Sequence, residues 1–405
     1  MSGVTVRQCA ILVGGLGTRL GALTQSLPKP LMTCGDRPFL AWLMREMQRF
    51  GVEEFVLLAG HLSHEIERAV EQIRLFLPKP AKITISVEPF RAGTGGALYH
   101  AREHLQERFL LCNGDSIFSC NLSRFLSRAR SGNWMLLREV DDLDRYGEVR
   151  LESDGECVAS FHPKAEQAGR SGLINSGIYL FDHSVFDHLT PNCSLEQDVL
   201  PKLAQEKALR GVCLTGYFRD IGLPDDLVAA GQELPEVLLR PAVFLDRDGV
   251  INRDHGWVGT RERFEWEDGV LSAIARMTDS GHHVFVVTNQ SGIARGFYSE
   301  ADLTQLMDWV IETVREHGGT IEDWRYCPIH PDAKLPQYRG HSPDRKPEPG
   351  MILDLLKRWE IKPEHCVLYG DQPSDMQAAS AAGIRGILVG PASLAELISK
   401  TKDFP

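Results

Sequence analysis

Hydrophobic positions along the 405-residue chain alternate between short apolar runs and stretches of helical spacing. In the first half, Cys9–Val13, Glu54–Leu58, Ile83–Val87 and Phe109–Cys112 read as strands, each short, rich in branched and aromatic residues and ended by a turn former or a charge. Phe39–Phe50 and Ser63–Ile73 place their apolar residues at helical spacing between them. In the second half, Val243–Leu245, His283–Val287 and Val367–Tyr369 read as strands. Leu303, Leu306, Met307, Val310, Ile311 and Val314 form the core-facing stripe of a helix. Strands alternating with helices predict mostly parallel sheets covered on both faces. The expected fold class is therefore α/β, with two doubly wound domains. Gly231–Pro241 carries a Gly and two Pro, which predicts a short, semi-rigid connector near Gln232–Arg240 and domains spanning residues 1–235 and 241–405.

Composition narrows the function classes. Hydrophobic residues are 43% and charged residues 24%, ordinary for a soluble globular protein. A net charge of −11 argues against nucleic acid as a partner but leaves small anionic substrates open, since a site can be locally positive. No apolar run approaches the roughly 18–20 residues of a membrane span, and the N-terminus lacks the pattern of a signal peptide. Nine scattered cysteines with no CxxC pair predict reduced thiols and a cytoplasmic protein. A homo-oligomer is left open.

Parallel sheets place ligands beyond the C-terminal ends of their strands. There, Cys9–Val13 runs into the glycine loop Gly14, Gly15 and Gly17, followed by Arg19 and by Lys29 between two prolines. Glycines let backbone N–H groups approach a phosphate, and the two cations complete a phosphate site. Glu88 ends the strand Ile83–Val87 and opens the loop containing Gly93, while Phe109–Cys112 ends in Asn113-Gly114-Asp115. In the second half, Val243–Leu245 ends in Asp246-Arg247-Asp248-Gly249. One of these carboxylates can attack or hold a metal, and the other can move a proton. Thr288 follows a strand, Lys346 follows a long loop, and Asp371 follows a strand with Asp375 four residues on.

The segments GGLGTRL, PKP, EPFRAGTGGAL, LCNGDS, INSGIYLF and DIGLPDDL, in that order, resemble the sugar-1-phosphate nucleotidyltransferases over about residues 7–230. The resemblance implies a Rossmann-like domain in which Gly14, Gly15, Gly17, Arg19, Lys29 and Gly93 hold a nucleoside triphosphate. It implies Mg²⁺ on Asp115 and Asp220, and a sugar phosphate on Gly147, Lys164 and Asn175. Arg19, Lys29, Lys164 and a metal would offset the repulsion between two phosphates brought together for transfer. Asp115 could also be a turn residue, Asp220 a cap before a helix Leu223–Ala229, and Lys164 a solvated lysine; the family often has Glu-Lys where this chain has Pro163-Lys164. A carboxylate at Glu88 suits the N1–H and N2–H₂ donors of guanine, which points to GTP. Ser194–Leu203, SLEQDVLPKL, looks most like the heptose- and mannose-1-phosphate guanylyltransferases.

Asp246 and Asp248, Thr288, Lys346, and Asp371 with Asp375 resemble the four-part pattern of haloacid-dehalogenase-type phosphatases over about residues 241–395. The resemblance makes Asp246 the nucleophile, Asp248 the acid and base, and Thr288 and Lys346 the phosphoryl holders. Mg²⁺ would bind Asp246, Asp371 and the Asp248 carbonyl, supported by Asp375. TNQSGIARGFYSE, RKPEPGM and YGDQPSDMQAA are similar to the heptose 1,7-bisphosphate 7-phosphatases, with the histidinol-phosphate phosphatases close by. Gln290, Ser291, Arg295 and Arg345 are then candidate substrate contacts. Zinc-containing members carry Cys-x-His and Cys-x-Cys on one loop. Here Cys327 stands, but Ile329, Ser342 and Asp344 fill the other positions, and despite His330 and His341 nearby no zinc is expected. Together the two resemblances imply a route that dephosphorylates a heptose bisphosphate and activates the 1-phosphate with a nucleotide. The alternatives are a mannose- or glucose-1-phosphate transferase fused to a histidinol-type phosphatase, or one half acting as a non-catalytic module.

Overall fold

The computed structural model describes residues 6–15, 17, 20–21, 24–164, 169–390 and 393–400, so Arg19 and the side chain of Lys164 lie outside it. Two compact units emerge, Met1–Leu238 and Leu239–Pro405. In the first, the strands are β1 (Gln8–Leu12), the hairpin β2 and β3 (Thr33–Cys34, Arg37–Pro38), β4 (Glu54–Ala59), β5 (Lys82–Val87), β6 (Arg108–Asn113) and β7 (Ser116–Ser119). They continue with β8 (Asn133–Val140), β9 (Gly147–Leu151), β10 (Val158–Lys164), β11 (Gly172–Asp182), β12 (Leu209–Cys213) and β13 (Tyr217–Asp220).

β1 lies at the centre, parallel to β4 on one side and β6 on the other, with β5 beyond β4. The chain winds outward through β4 and β5 and then returns to the far side of β1. That reversal opens a crevice above the C-terminal ends of β1 and β6. Much of the rest of the sheet departs from the mostly parallel expectation: β11 runs antiparallel to β6, β8 and β9, and β9 to β10, while β12 pairs β8 in parallel. The reason is the connections. Among the described residues, no α-helix intervenes between β8 and β11, and short links suit antiparallel neighbours, whereas parallel ones need a long crossover. The helix Phe39–Arg49 is buried on every side, including Glu46 and Arg49, whose charges pair at 3.1 Å while Ser119 donates to Glu46 at 2.7 Å.

The second unit is all parallel, with β14 (Ala242–Leu245), β15 (His283–Asn289), β16 (Asp323–Cys327), β17 (Val367–Gly370) and β18 (Arg385–Leu388) in the order β16-β15-β14-β17-β18. Its switch point lies between β14 and β17, where Asp246 N–H donates to Tyr369 O at 2.9 Å. The apolar stripe falls on the helix Glu300–Glu316, with Leu303, Leu306, Met307, Val310 and Val314 buried and Ile311 half-buried against the same core.

The predicted connector is largely helix. Pro224–Leu238 is continuous through Pro235, and its buried residues Ala230, Leu234 and Leu238 stand four apart on one face. Pro235 packs on the β2–β3 turn, where a Cβ on Gly35 would lie 2.8 Å from its ring. Proline's φ is compatible with a helix, and packing of this face offsets the hydrogen bond it cannot make. Among the described residues, no helix is long and apolar enough to cross a membrane.

Candidate active sites

In the first unit the crevice is a cavity of about 670 Å³ lined by Gly14, Gly15, Glu88, Gly93 and Asp115, with Arg91, Asn113 and Glu196. A Cβ on Gly14 would lie 2.8 Å from Gly60 N, so only glycine lets these two loops close together. Gly15 faces open space. Gly17 takes φ +59 and lines the adjoining cavity of about 250 Å³ with Lys29 and Asp115.

Lys29 is the hub of this second cavity. Its Nζ lies 2.7 Å from Asp115 Oδ2 and 3.9 Å from Asp220 Oδ1, with the lysine side chain only 10% exposed. The two aspartates meet because β13 pairs with β7, setting Asp220 opposite Ser116, and Ile221 N–H donates to Asp115 O at 3.0 Å. Burial, followed by the Asp115 charge, pushes the Asp220 carboxyl up. Two carboxylates against one ammonium leave a negative excess that a divalent cation would neutralise.

Glu88 is more committed than the sequence suggested. Its Oε2 accepts the Ala92 N–H at 3.0 Å, and its carboxylate lies over Gly60, where a Cβ would meet it. Gly93 takes φ +76 against Cys193 O. Gly147 and Lys164 face each other across β9 and β10, and Asn175 neighbours the Ile174–Glu148 pair of β11 and β9. The Asn175 amide donates to Tyr179 Oη at 2.6 Å and accepts from Gly177 N–H at 2.9 Å. Sequence reasoning missed the pair Thr94 and Glu196, joined at 2.7 Å on the cavity wall. Only the segment SLEQDVLPKL hinted at it.

In the second unit, Asp246, Asp248, Thr288, Ser291, Lys346, Asp371 and Asp375 line one cavity of about 240 Å³. Lys346 is buried, with Nζ 2.9 Å from Asp246 Oδ1, 2.6 Å from Asp375 Oδ1 and 2.9 Å from Val287 O. Asn289 holds the lysine backbone by reciprocal bonds at 2.9 and 3.1 Å. Burial works against the Lys346 ammonium, and the two carboxylates outweigh it, leaving its pKa above the ordinary lysine value. Burial pushes Asp246 up to about 7 despite Lys346, with Asp375 and Asp248 adding to the rise. Carboxylate oxygens of Asp246, Asp371 and Asp375 lie within 4.8 Å of one another. Three acids face one ammonium, so the donor set fits a hard divalent cation.

Asp248 is held by groups the sequence did not flag. Arg247, fully buried, reaches its oxygens from Nη2 at 2.7 and 2.9 Å, and Asn252 donates to it at 3.0 Å. Gln290, expected to touch substrate, is buried instead. Its amide nitrogen donates to Asp248 at 2.9 Å and to Thr288 Oγ1 at 2.8 Å, and its oxygen accepts from Tyr298 at 2.6 Å. It braces Asp248 and Thr288 rather than facing the cavity. Arg295 lies beside Trp257, 5.9 Å from its ring, and Arg345 donates to Ile329 O at 3.0 Å. Burial holds the Arg345 guanidinium below its usual value; the Cys327 thiol pulls it up and Arg295 pushes it further down. Arg345 and Arg295 add to burial in lowering His330. The two guanidiniums, Arg295 and Arg345, make the surroundings of His330 electropositive.

The loop after β16 closes by its own hydrogen bonds: His330 N–H to Tyr338 O at 2.9 Å, Arg339 to Ala333 O at 2.8 Å and Tyr338 Oη to Glu300 at 2.6 Å. Cys327 is buried, which pushes its thiol up, and Ser342 and Asp344 face it.

A fold with two switch-point crevices, one lined by glycines, lysine and aspartates and the other by an Asp-x-Asp with a buried lysine, defines a nucleotidyltransferase joined to a phosphatase. The Nucleotidyl transferase family model matches residues 9–237, and the HAD-hydrolase-like model matches residues 344–399. The chain belongs to the nucleotidyl transferase family and, through its second unit, to the HAD-type phosphatases. It is 48% identical over 147 residues to D-glycero-beta-D-manno-heptose-1,7-bisphosphate 7-phosphatase of Rhodopseudomonas palustris, covering 36% of this chain and 82% of the relative. To D-glycero-alpha-D-manno-heptose-1,7-bisphosphate 7-phosphatase of Burkholderia mallei it is 43% identical over 143 residues, or 35% of this chain and 76% of the relative. A crystal structure of HddC from Yersinia pseudotuberculosis matches 56% of this chain and 99% of its own, at 29% identity and a TM-score of 0.50.

Proposed function

We propose that the chain performs two steps on one sugar: it removes the 7-phosphate of D-glycero-D-manno-heptose 1,7-bisphosphate and transfers GMP from GTP to the resulting 1-phosphate, releasing pyrophosphate. The observation that carries this is that one chain holds two complete charge sets, Lys29 with Asp115 and Asp220, and Lys346 with Asp246 and Asp375. The likeness of the second unit to heptose bisphosphate phosphatases selects the sugar. The domains of the reading are residues 1–235 and 241–405.

In the phosphatase, Asp246 attacks phosphorus and Asp248 protonates the departing sugar oxygen. Asp248 then takes a proton from water, which attacks the aspartyl-phosphate and returns Asp246 as a carboxylate. Arg247 and Gln290 hold Asp248 for this exchange, and Thr288 and Lys346 hold the phosphoryl oxygens. In the transferase, an oxygen of the sugar 1-phosphate attacks the α-phosphorus while Lys29 and Arg19 draw the two anions together. Mg²⁺ is the expected cation; Asp115 and Asp220 would hold it in one unit, and Asp246, Asp371 and the Asp248 carbonyl, supported by Asp375, in the other, where it would neutralise phosphate charge. Ser291 and the Arg295–Arg345 cluster suit the remainder of the bisphosphate.

The test is an assay of the purified protein with each anomer of the heptose bisphosphate and each of the four common nucleoside triphosphates, following phosphate and pyrophosphate separately. Preference for histidinol phosphate, or no pyrophosphate with GTP, refutes the reading.

Glu88 carries the choice of base in this proposal. Glu88→Gln is expected to raise the GTP KM, with roughly 1.5–3 kcal/mol lost per charged hydrogen bond broken. Turnover should fall less, because base contacts are shared by ground and transition states. Competition among GTP, ATP, UTP and CTP separates this from the loop contact to Ala92. Equal losses for all four nucleotides assign Glu88 to shaping the loop alone.

Zinc is not expected to accompany the phosphatase, because hydroxyl and carboxylate side chains replace thiolates around Cys327. Elemental analysis should find none in stoichiometric amount. About one zinc per chain, lost on Cys327→Ser, overturns that expectation.

A further inference from the structure

Trp257 lines the phosphatase cavity from a backbone that disfavours it. Its φ is +52, a genuine outlier for a bulky residue. Such a conformation persists only where its surroundings impose it, and here they do. The Gly256 N–H donates to Asp254 at 2.8 Å, the Gly256 carbonyl accepts from Arg263 at 2.9 Å, and the Val258 carbonyl accepts from Arg247. Arg247 also clamps Asp248, so the loop bearing Trp257 is anchored to the catalytic acid's own support. Tyr298 fills the space behind, against the backbone of Gly259 and Gly292, where any Cβ would strike its ring.

This rigid mount presents an aromatic surface to water. Trp257 is 46% exposed and Phe297 51%, their rings 4.4 Å apart and 30° from parallel. Cations flank them: Arg295 lies 5.9 Å from the Trp257 ring centre and Lys334 5.7 Å from that of Phe297. Exposed aromatics beside a cavity cannot be explained by the core, which they do not join. Their chemistry suits a ligand with an apolar C–H face and an anionic end.

We propose that Trp257, backed by Phe297, is the platform on which the sugar ring of the phosphatase substrate lies, and that it sets preference for a cyclic sugar phosphate over an acyclic phosphomonoester. This rests on the reading of the second unit as a sugar bisphosphate phosphatase. Trp257 takes no part in bond making in this picture and acts on binding, not on the chemical step.

Trp257→Gly is the sharp variant, because glycine accepts φ +52 without strain and the backbone of the loop need not change. Phosphate release would be measured on heptose 1,7-bisphosphate and on glycerol 3-phosphate, which has no ring. The expected result is a KM for the bisphosphate raised about tenfold, kcat nearly unchanged, and kcat/KM on glycerol 3-phosphate within about twofold of wild type. Trp257→Phe should recover most of the loss. An unchanged KM for the bisphosphate, or equal losses on both substrates, overturns the platform. A wild-type protein inert toward the bisphosphate overturns the underlying reading and the platform with it, and is told apart by needing no variant.

Discussion

Asp246→Asn is expected to abolish phosphate release, by roughly four powers of ten or more, as losing a nucleophile does. Nucleotidyl transfer to supplied heptose 1-phosphate should stay nearly unchanged. The isosteric amide cannot form an acyl phosphate. The fold should survive, because Lys346 keeps Asp375 at 2.6 Å and Val287 O at 2.9 Å. Stability also has a predictable sign. Burial raises the folded Asp246 pKa to about 7, above the unfolded value. The folded chain therefore binds this proton more tightly, and the carboxylate's contribution turns unfavourable as pH climbs from about 4 towards 7. Asparagine lacks that liability, so without divalent metal at pH 7 the variant should melt at or above the wild-type temperature. Loss of transfer in a folded Asp246→Asn protein would sink the independence of the two sites.

The converse variant, Asp115→Ala, should cut nucleotidyl transfer by about 10²–10⁴ and leave phosphate release intact. Asp115 stands 2.7 Å from the Lys29 ammonium and shares it with Asp220. Removing it takes away one of two hard oxygen donors. It also leaves Lys29, whose side chain is nearly buried, with the more distant Asp220 at 3.9 Å as its acidic partner among the described residues. Two effects therefore act together, weakened cation binding and a misplaced lysine. Raising Mg²⁺ should recover part of the first and none of the second. Asp115→Asn, which keeps one acceptor near Lys29, should lose less than the alanine. Equal transfer rates for variant and wild type would remove Asp115 from the site.

Local sequence determined where the chemistry begins. The apolar run Val243–Leu245 stops at Asp246, and Phe109–Cys112 gives way to Asn113-Gly114-Asp115, because strand and turn preferences act over a few residues. The order of such segments was enough to name two α/β domains and most of the groups that now line the three cavities. The antiparallel half of the first sheet was not legible. Among the described residues between 133 and 182 no helical crossover signals direction, and pairing there is decided by which edges are free once β6 is in place. Nor was the helix through Pro235, since proline reads as a breaker until Ala230, Leu234 and Leu238 have a surface to bury against. Gln290 shows the same limit at side-chain scale: a polar residue after a strand is as ready to face a ligand as to brace one. Only the sheet order β15-β14-β17 put it beneath Asp248 and brought Asp375 and Lys346 to Asp246. Lys346 and Asp375 lie 100 and 129 residues from Asp246 in sequence, separations across which local preference carries no information and packing alone decides.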